Sequence, residues 1–230
     1  MNDVAAQGYR RITTEILRIS TAALALTLPL ALLPAQAAAE PGAPDLDSVV
    51  LSLAEVNAIV GGGSDGGGPF RDNSDRDRRA PKDYGEPPGV PEPCRNSDAP
   101  TKIYGADYTA YRSVSYSGFS NVGVNQAVAV YPSPEVARRV FDTYVANLKE
   151  CQAVYPNDIY GPTPVITTIP GTDNVTVLEQ QGPGIGRGWA RLVQVYGANV
   201  ISVGAGNFPP DTPVVWQVLS RIQQNLDAQR

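Results

Sequence analysis

Histidine is absent from all 230 residues. That absence removes the commonest general base, the commonest metal ligand and the usual physiological pH switch. Ser-His-Asp and Cys-His nucleophile systems are excluded, and so is any histidine-ligated zinc site. Carboxylate, lysine and tyrosine chemistry stay open. Cysteine is nearly as scarce, with two residues, Cys94 and Cys151. They lack the close spacing and the electropositive setting of a redox-active pair. A basic block is missing too. The chain has 18 Lys and Arg against 23 Asp and Glu; residues 1–37 hold three of the former and two of the latter, so the remainder carries 15 against 21. An acidic surface of this kind repels phosphate backbones and gains nothing from anionic lipid, so neither nucleic acid nor a membrane surface is an expected partner. No metal site and no cofactor are expected.

What is present begins with an export pattern. Arg10, Arg11 and Arg18 precede the apolar run 21–33, and Ala35-Gln36-Ala37 places small residues where a signal peptidase reads. Residues 1–37 are therefore expected to be a signal peptide, with cleavage after Ala39 as the near alternative. The competing reading is an uncleaved anchor, since 19–39 offers about the 20 apolar residues a span requires. Pro29 and Pro34 interrupt that stretch. Cleavage would leave no membrane span and a secreted, periplasmic or cell-envelope protein.

Residues 38–47 read as a Pro/Gly/Asp linker, and 48–230 as one domain. Ser52-x-x-Glu55 is a capping box ahead of Val56, Ile59 and Val60, and Gly61 ends that helix. The stretch 61–93 is dense in Gly, Pro, Asp and Arg and reads as a long mobile loop within the domain. Its acids Asp72, Asp75 and Asp77 fail the spacing of a helix-loop-helix calcium site, and Arg76, Arg78 and Arg79 sit among them. A solvated charge run is expected there instead.

Beyond Cys94, strands are expected at 102–104, 108–116 and 122–131 from their Tyr, Val and Ser content. Ser133-Pro134-Glu135 then starts a helix, with Val136, Val140, Phe141, Tyr144, Val145 and Leu148 on one stripe. Glu135 and Arg139 are spaced to pair on its other side. Further strands are expected at 164–169, 175–180, 189–196 and 199–204, the last two joined by a hairpin at Tyr196–Asn199. Asp211-Thr212-Pro213 opens a C-terminal helix whose buried side carries Val215, Val218, Leu219, Ile222 and Leu226. The order helix, strands, helix, strands, helix is α+β: an antiparallel sheet packed against a long helix and a C-terminal helix. In an exported chain the two lone thiols are expected to form a disulfide.

Four segments carry a family likeness. Leu51–Gly61 holds Glu55-Val56-Asn57-Ala58-Ile59-Val60-Gly61. Pro93-Cys94 is followed by Ile103-Tyr104-Gly105. Gln126–Tyr131 runs into Pro132–Cys151, and Gly188-Trp189 leads through to Gly206. In their order and spacing these resemble the extracellular sensor domain of the mycobacterial serine/threonine kinase PknH and its secreted and lipoprotein relatives. The resemblance implies a curved antiparallel sheet, a long helix and a cleft for an extracytoplasmic ligand, with no catalytic role. The family's usual second disulfide, joining the last two strands, has no counterpart here. No kinase domain is present, so the resemblance implies relay through an envelope protein partner.

Three functions follow as expectations. The first is a non-catalytic ligand-binding or sensor module of the cell envelope, taking an unknown small molecule or envelope component. Its ligand-binding residues are expected to be Tyr108, Tyr111, Arg112, Tyr116, Trp189, Arg191 and Asn199, an aromatic-lined surface with polar partners. Against this, strand tyrosines mostly cover a core edge. The second is a protein-interaction module acting through the 61–93 loop or a sheet edge. The third is a carboxylate-based cell-wall hydrolase, for which Asp107, Asp173 and Glu179 are the acids near strands and nothing in the sequence pairs them.

Overall fold

In the computed structural model, which describes residues 44–61, 70–72, 77–83, 94, 99–118, 122–154, 176–180, 188–208 and 213–230, the capping box at Ser52 forms as its spacing requires. Helix α2 spans Leu53–Val60; the Glu55 amide donates to the Ser52 hydroxyl, and the Glu55 carboxylate accepts from the Ser52 amide. A one-turn helix α1, Leu46–Val49, precedes it, capped by the Asp45 carboxylate. The expected linker therefore already belongs to the folded body at its end. The physical reason is burial: Leu46, Val49, Val50 and Leu51 are all inside, and the Asp45 cap closes the turn that puts them there.

Six strands form one sheet in the order β1-β2-β3-β6-β5-β4, with β1 Arg71–Asp72, β2 Ala110–Ser117, β3 Gly123–Val130, β4 Thr176–Gln180, β5 Gly188–Tyr196 and β6 Asn199–Phe208. Every pairing is antiparallel. The expected hairpin joins β5 to β6, with Gly197 at φ 57° in its turn. Helix α3, Pro100–Tyr104, falls where a strand is expected at 102–104. Pro100 sits in its first turn, and Gly105 ends it at φ 59°; these stop and start signals outweigh the β-propensity of Ile103 and Tyr104. The long helix α4 spans Pro134–Val154, and α5 spans Val214–Asp227. Arg139 pairs with Asp107 at 3.1 Å rather than with Glu135, whose carboxylate is drawn to the Ser133 hydroxyl instead. The expected strand at 164–169 and the Asp211-Thr212 helix opening lie outside the described residues, as does 1–43.

Alternation along the strands gives the sheet two apolar faces, and each carries helices. Val114, Tyr116, Val124, Val128, Leu192, Ile201, Val203 and Ala205 pack with α1, α2 and α5. Tyr111, Ala127, Ala129, Val193, Val195 and Val200 pack with α3 and α4. The fold class is α+β as expected, arranged in three layers.

Two ties hold the segments between elements. Cys94 and Cys151 are bonded, with Cα atoms 4.6 Å apart and a sequence separation of 57; loop closure of that length is worth about 4 kcal/mol. The second tie corrects the picture of 61–93 in its described parts. Phe70 is buried in the core, β1 pairs with the end of β2, and Arg78 bridges to Ser113. A single aromatic side chain and a few charge pairs are enough to lay its described parts, 70–72 and 77–79, along the sheet edge.

Candidate functional site

Strand register divides the expected ligand-binding residues between opposite faces of the sheet. Arg112 stands opposite Val128, Tyr116 opposite Val124, and Asn199 opposite Val130, all on the α1/α2/α5 side. Tyr111 stands opposite Ala129, on the α3/α4 side. Because side chains alternate, residues an odd number apart cannot share one face of a strand. No single surface unites all seven.

The residues on the first face have structural work. The Arg112 guanidinium, 9% exposed, reaches Asp47 at 2.7 Å, Asp77 through both carboxylate oxygens, and the Ser113 carbonyl at 2.8 Å. Asp47 also accepts from Arg79 at 2.7 Å. These hydrogen bonds, Arg79 first and Arg112 second, hold the Asp47 carboxyl below its ordinary range. Arg112 is thus the knot joining α1, β2 and segment 77–79. The Tyr116 hydroxyl donates to the Leu51 carbonyl at 2.9 Å. Asn199 donates to the Tyr196 carbonyl at 3.0 Å and closes the hairpin turn.

On the other face the tyrosines pack on one another. Tyr111 meets Tyr104 edge-on at 5.1 Å and Tyr108 at a tilt at 5.9 Å. The Tyr131 hydroxyl donates to the Tyr104 carbonyl at 2.7 Å. The Tyr104 hydroxyl itself is buried with the Ser202 side chain as its polar neighbour and Arg191 near it, and among the described residues no group completes a well-formed hydrogen bond to it. Burial first, and the neighbouring Tyr111 second, push its pKa well above the ordinary tyrosine value, so it stays a neutral donor and acceptor.

Around it the residues change character. Reading across the sheet beyond the last apolar row, Ser115 pairs with Asn125, Asn125 with Gly204, Gly204 with Arg191, and Arg191 with Glu179. The Ser115 hydroxyl and the Asn125 side chain are hydrogen-bonded to each other. This polar row, with Ser202 and the Tyr104 hydroxyl beside it, is the candidate site. Of the residues expected from sequence it keeps Arg191. Trp189 lies next along β5, in register with Gly206 at an irregularity of the strand. Tyr104 and Ser202 are new to it. Pro100 and Gly105 were the signals that could have placed Tyr104 on a helix end above the sheet. Of the acids considered for hydrolysis, Asp107 is ion-paired to Arg139, and Asp173 lies outside the described residues. Among the described residues no group of His, Cys, Asp and Glu could hold a metal ion.

A three-layer fold of this order, with the PknH-type opening helix and cysteine pair, has a match in known families. The family described as PknH-like extracellular domain matches residues 41–225. The chain belongs to that family. The PknH-like fold is also seen in the crystal structure of the extracellular domain of PknH from Mycobacterium tuberculosis. The two share 19% identity and a TM-score of 0.60, over 82% of this chain and 98% of that one. A search of curated proteins returns no match. The PknH-like motif at Glu55–Gly61 has a structural explanation here. Glu55 completes the capping box, and Asn57 accepts from the Phe70 amide at 2.8 Å and so anchors the start of the sheet-edge segment. Gly61 takes φ 69° to end the helix. This PknH-like domain is of extracytoplasmic sensor type. No helix among its described residues is long and apolar enough to cross a membrane.

Proposed function

We propose that this PknH-like domain is an exported, non-catalytic ligand-binding module of the cell envelope, delivered by the leader 1–37. Its ligand contacts Arg191 and Asn125 of the polar row and the Tyr104 and Ser202 hydroxyls beside it. One observation carries this reading. A phenol hydroxyl buried to 2% exposure completes no well-formed hydrogen bond among the described residues, beside two further polar side chains. Leaving such a group unmade costs about 1–3 kcal/mol, which a ligand supplying the bond would recover. Three of the seven residues expected from sequence, Arg112, Tyr116 and Asn199, stand on the opposite face of the sheet and are not part of this reading.

The test is native mass spectrometry of the exported protein after incubation with envelope extract. A small-molecule adduct is expected with the native protein and is expected to be lost in Ser202→Val and Arg191→Gln. An adduct that survives both substitutions, or no adduct at all, removes the reading. N-terminal sequencing of the same material is expected to begin at Ala38.

A further inference from the structure

We infer that the outer edge of β2 is a docking site for an extended segment of a partner protein, one carrying an acid and a base two residues apart. Asp77-Arg78-Arg79 occupies that site as the chain's own stand-in. The site lies at the sheet edge, with its charges on the face opposite the polar row, and does not depend on the small-molecule reading.

The stand-in pairs with β2 as a strand would, but briefly. The Arg78 amide donates to the Ser113 carbonyl at 3.1 Å, and the Ser113 amide donates to the Arg78 carbonyl at 3.0 Å. Among the described residues of 77–83 no other backbone group bonds to β2. β1 joins the same edge at Ser117 and Tyr116 in a different register. Continued evenly, that register would bring residue 75 to Ser113, where Arg78 stands instead. An eight-residue strand therefore has an interrupted edge partner. A strand holding one register would pair with it more fully.

Charge defines what that strand carries. Side chains two apart on a strand point the same way, so Asp77 and Arg79 flank Arg78 on one side. There Arg112 donates to both Asp77 oxygens and, at 2.7 Å, to Asp47. Arg79 donates to the other Asp47 oxygen at 2.7 Å. Lifting 77–79 away leaves Arg112 and Asp47 paired with each other, so the site keeps its form. It takes one acid from Arg112 and one base from Asp47. An extended acid-x-base segment replaces both, with its middle residue paired to Ser113.

The stand-in is also loosely held. Asp47 and Asp77 are half-exposed and Arg79 more so, and ion pairs open to water gain little and are screened by salt. Separate contacts anchor the chain on either side. The Phe70 amide donates to Asn57 at 2.8 Å, and the Thr101 amide donates to Asp83 at 3.0 Å. Residues 77–79 can lift while both anchors hold. Tethering raises the local concentration of the stand-in, so a free segment competes well only once the stand-in is weakened.

Asp77→Asn with Arg79→Gln weakens it in the full exported chain and leaves Arg112 and Asp47 in place. The probe is a fluorescein-labelled peptide of residues 74–82, and the control peptide carries the same two substitutions. The probe is expected to bind the doubly substituted chain roughly tenfold tighter than the native chain. It is expected to move the Ser113 and Val114 amide resonances, and the control peptide is not expected to bind. Arg112→Met added to that background is expected to abolish binding, and retained binding overturns the assignment. The control peptide keeps the test decisive should that variant misfold. Equal binding to native and substituted chains, equal binding of probe and control, binding that leaves Ser113 unmoved, or no binding at all each overturn the assignment. The small-molecule reading is decided separately by its own adduct.

Discussion

The Gln126 side chain holds both backbone groups of Leu51. The Leu51 amide donates to Gln126 Oε1 at 2.8 Å, and Gln126 Nε2 donates to the Leu51 carbonyl at 2.8 Å. Both residues are essentially inaccessible to solvent. Leu51 lies between α1 and α2, outside any ladder, so its peptide groups would otherwise be buried without partners. A carboxamide on β3 stands in for a neighbouring strand.

That pairing makes Gln126→Leu costly although the substitution is apolar and of similar size. The Leu51 amide is left unsatisfied, while its carbonyl keeps the Tyr116 hydroxyl. A loss of about 2 kcal/mol is expected in urea unfolding. A loss under about 0.5 kcal/mol would mean that water already reaches Leu51.

Arg112→Met tests the ionic knot. It unties α1 and segment 77–79 from β2 while keeping much of the side-chain volume. Trypsin cleavage after Arg78 or Arg79 is expected to quicken by roughly tenfold, as local opening becomes easier. At neutral pH the native knot is intact; it weakens only in acid, as the pH falls through the depressed pKa of Asp47, below its ordinary 3.8. Cleavage at the native rate would show that β1 and Phe70 hold the segment unaided.

Alkali acts through the tyrosines. Burial first, and Asp72 second, push the Tyr116 pKa up to about 12 from 10.0, and burial raises Tyr131 and Tyr104 as well. A folded-state pKa above the unfolded one favours the protonated form in the fold. The stabilisation is full below pH 10 and is lost as the pH climbs from 10 toward 12. Stability is therefore expected to fall across that window. Tyr116→Phe should flatten the fall, at a cost of about 1 kcal/mol at neutral pH for its bond to Leu51. An ultraviolet titration in which every tyrosine ionises near pH 10 without unfolding would contradict this.

Much of the fold is legible in local patterns. Ser133-Pro134 and the stripe from Val136 to Leu148 announce α4, and the Ser52 capping box announces α2, because caps and helical spacing act within a few residues. Ile103-Tyr104 misled for the same reason in reverse. Two β-prone residues outweighed Pro100 and Gly105 in a segment too short to show a period. The site was less legible. Tyr111 and Arg112 are adjacent in sequence and chemically suited to one pocket, yet a strand sends them to opposite faces.

By itself the sequence determined the class of element at each strong signal, the lone cysteine pair and the absence of histidine chemistry. These depend on residue identity and near spacing. The tertiary structure alone decided which polar groups are spoken for. Arg112 and Tyr116 were committed to Asp47, Asp77 and Leu51, while the Tyr104 hydroxyl came to rest beside Ser202 without a well-formed hydrogen bond among the described residues. Partnership of that kind is set by cross-strand register and helix placement, which bring together groups dozens of residues apart, and no local pattern records it.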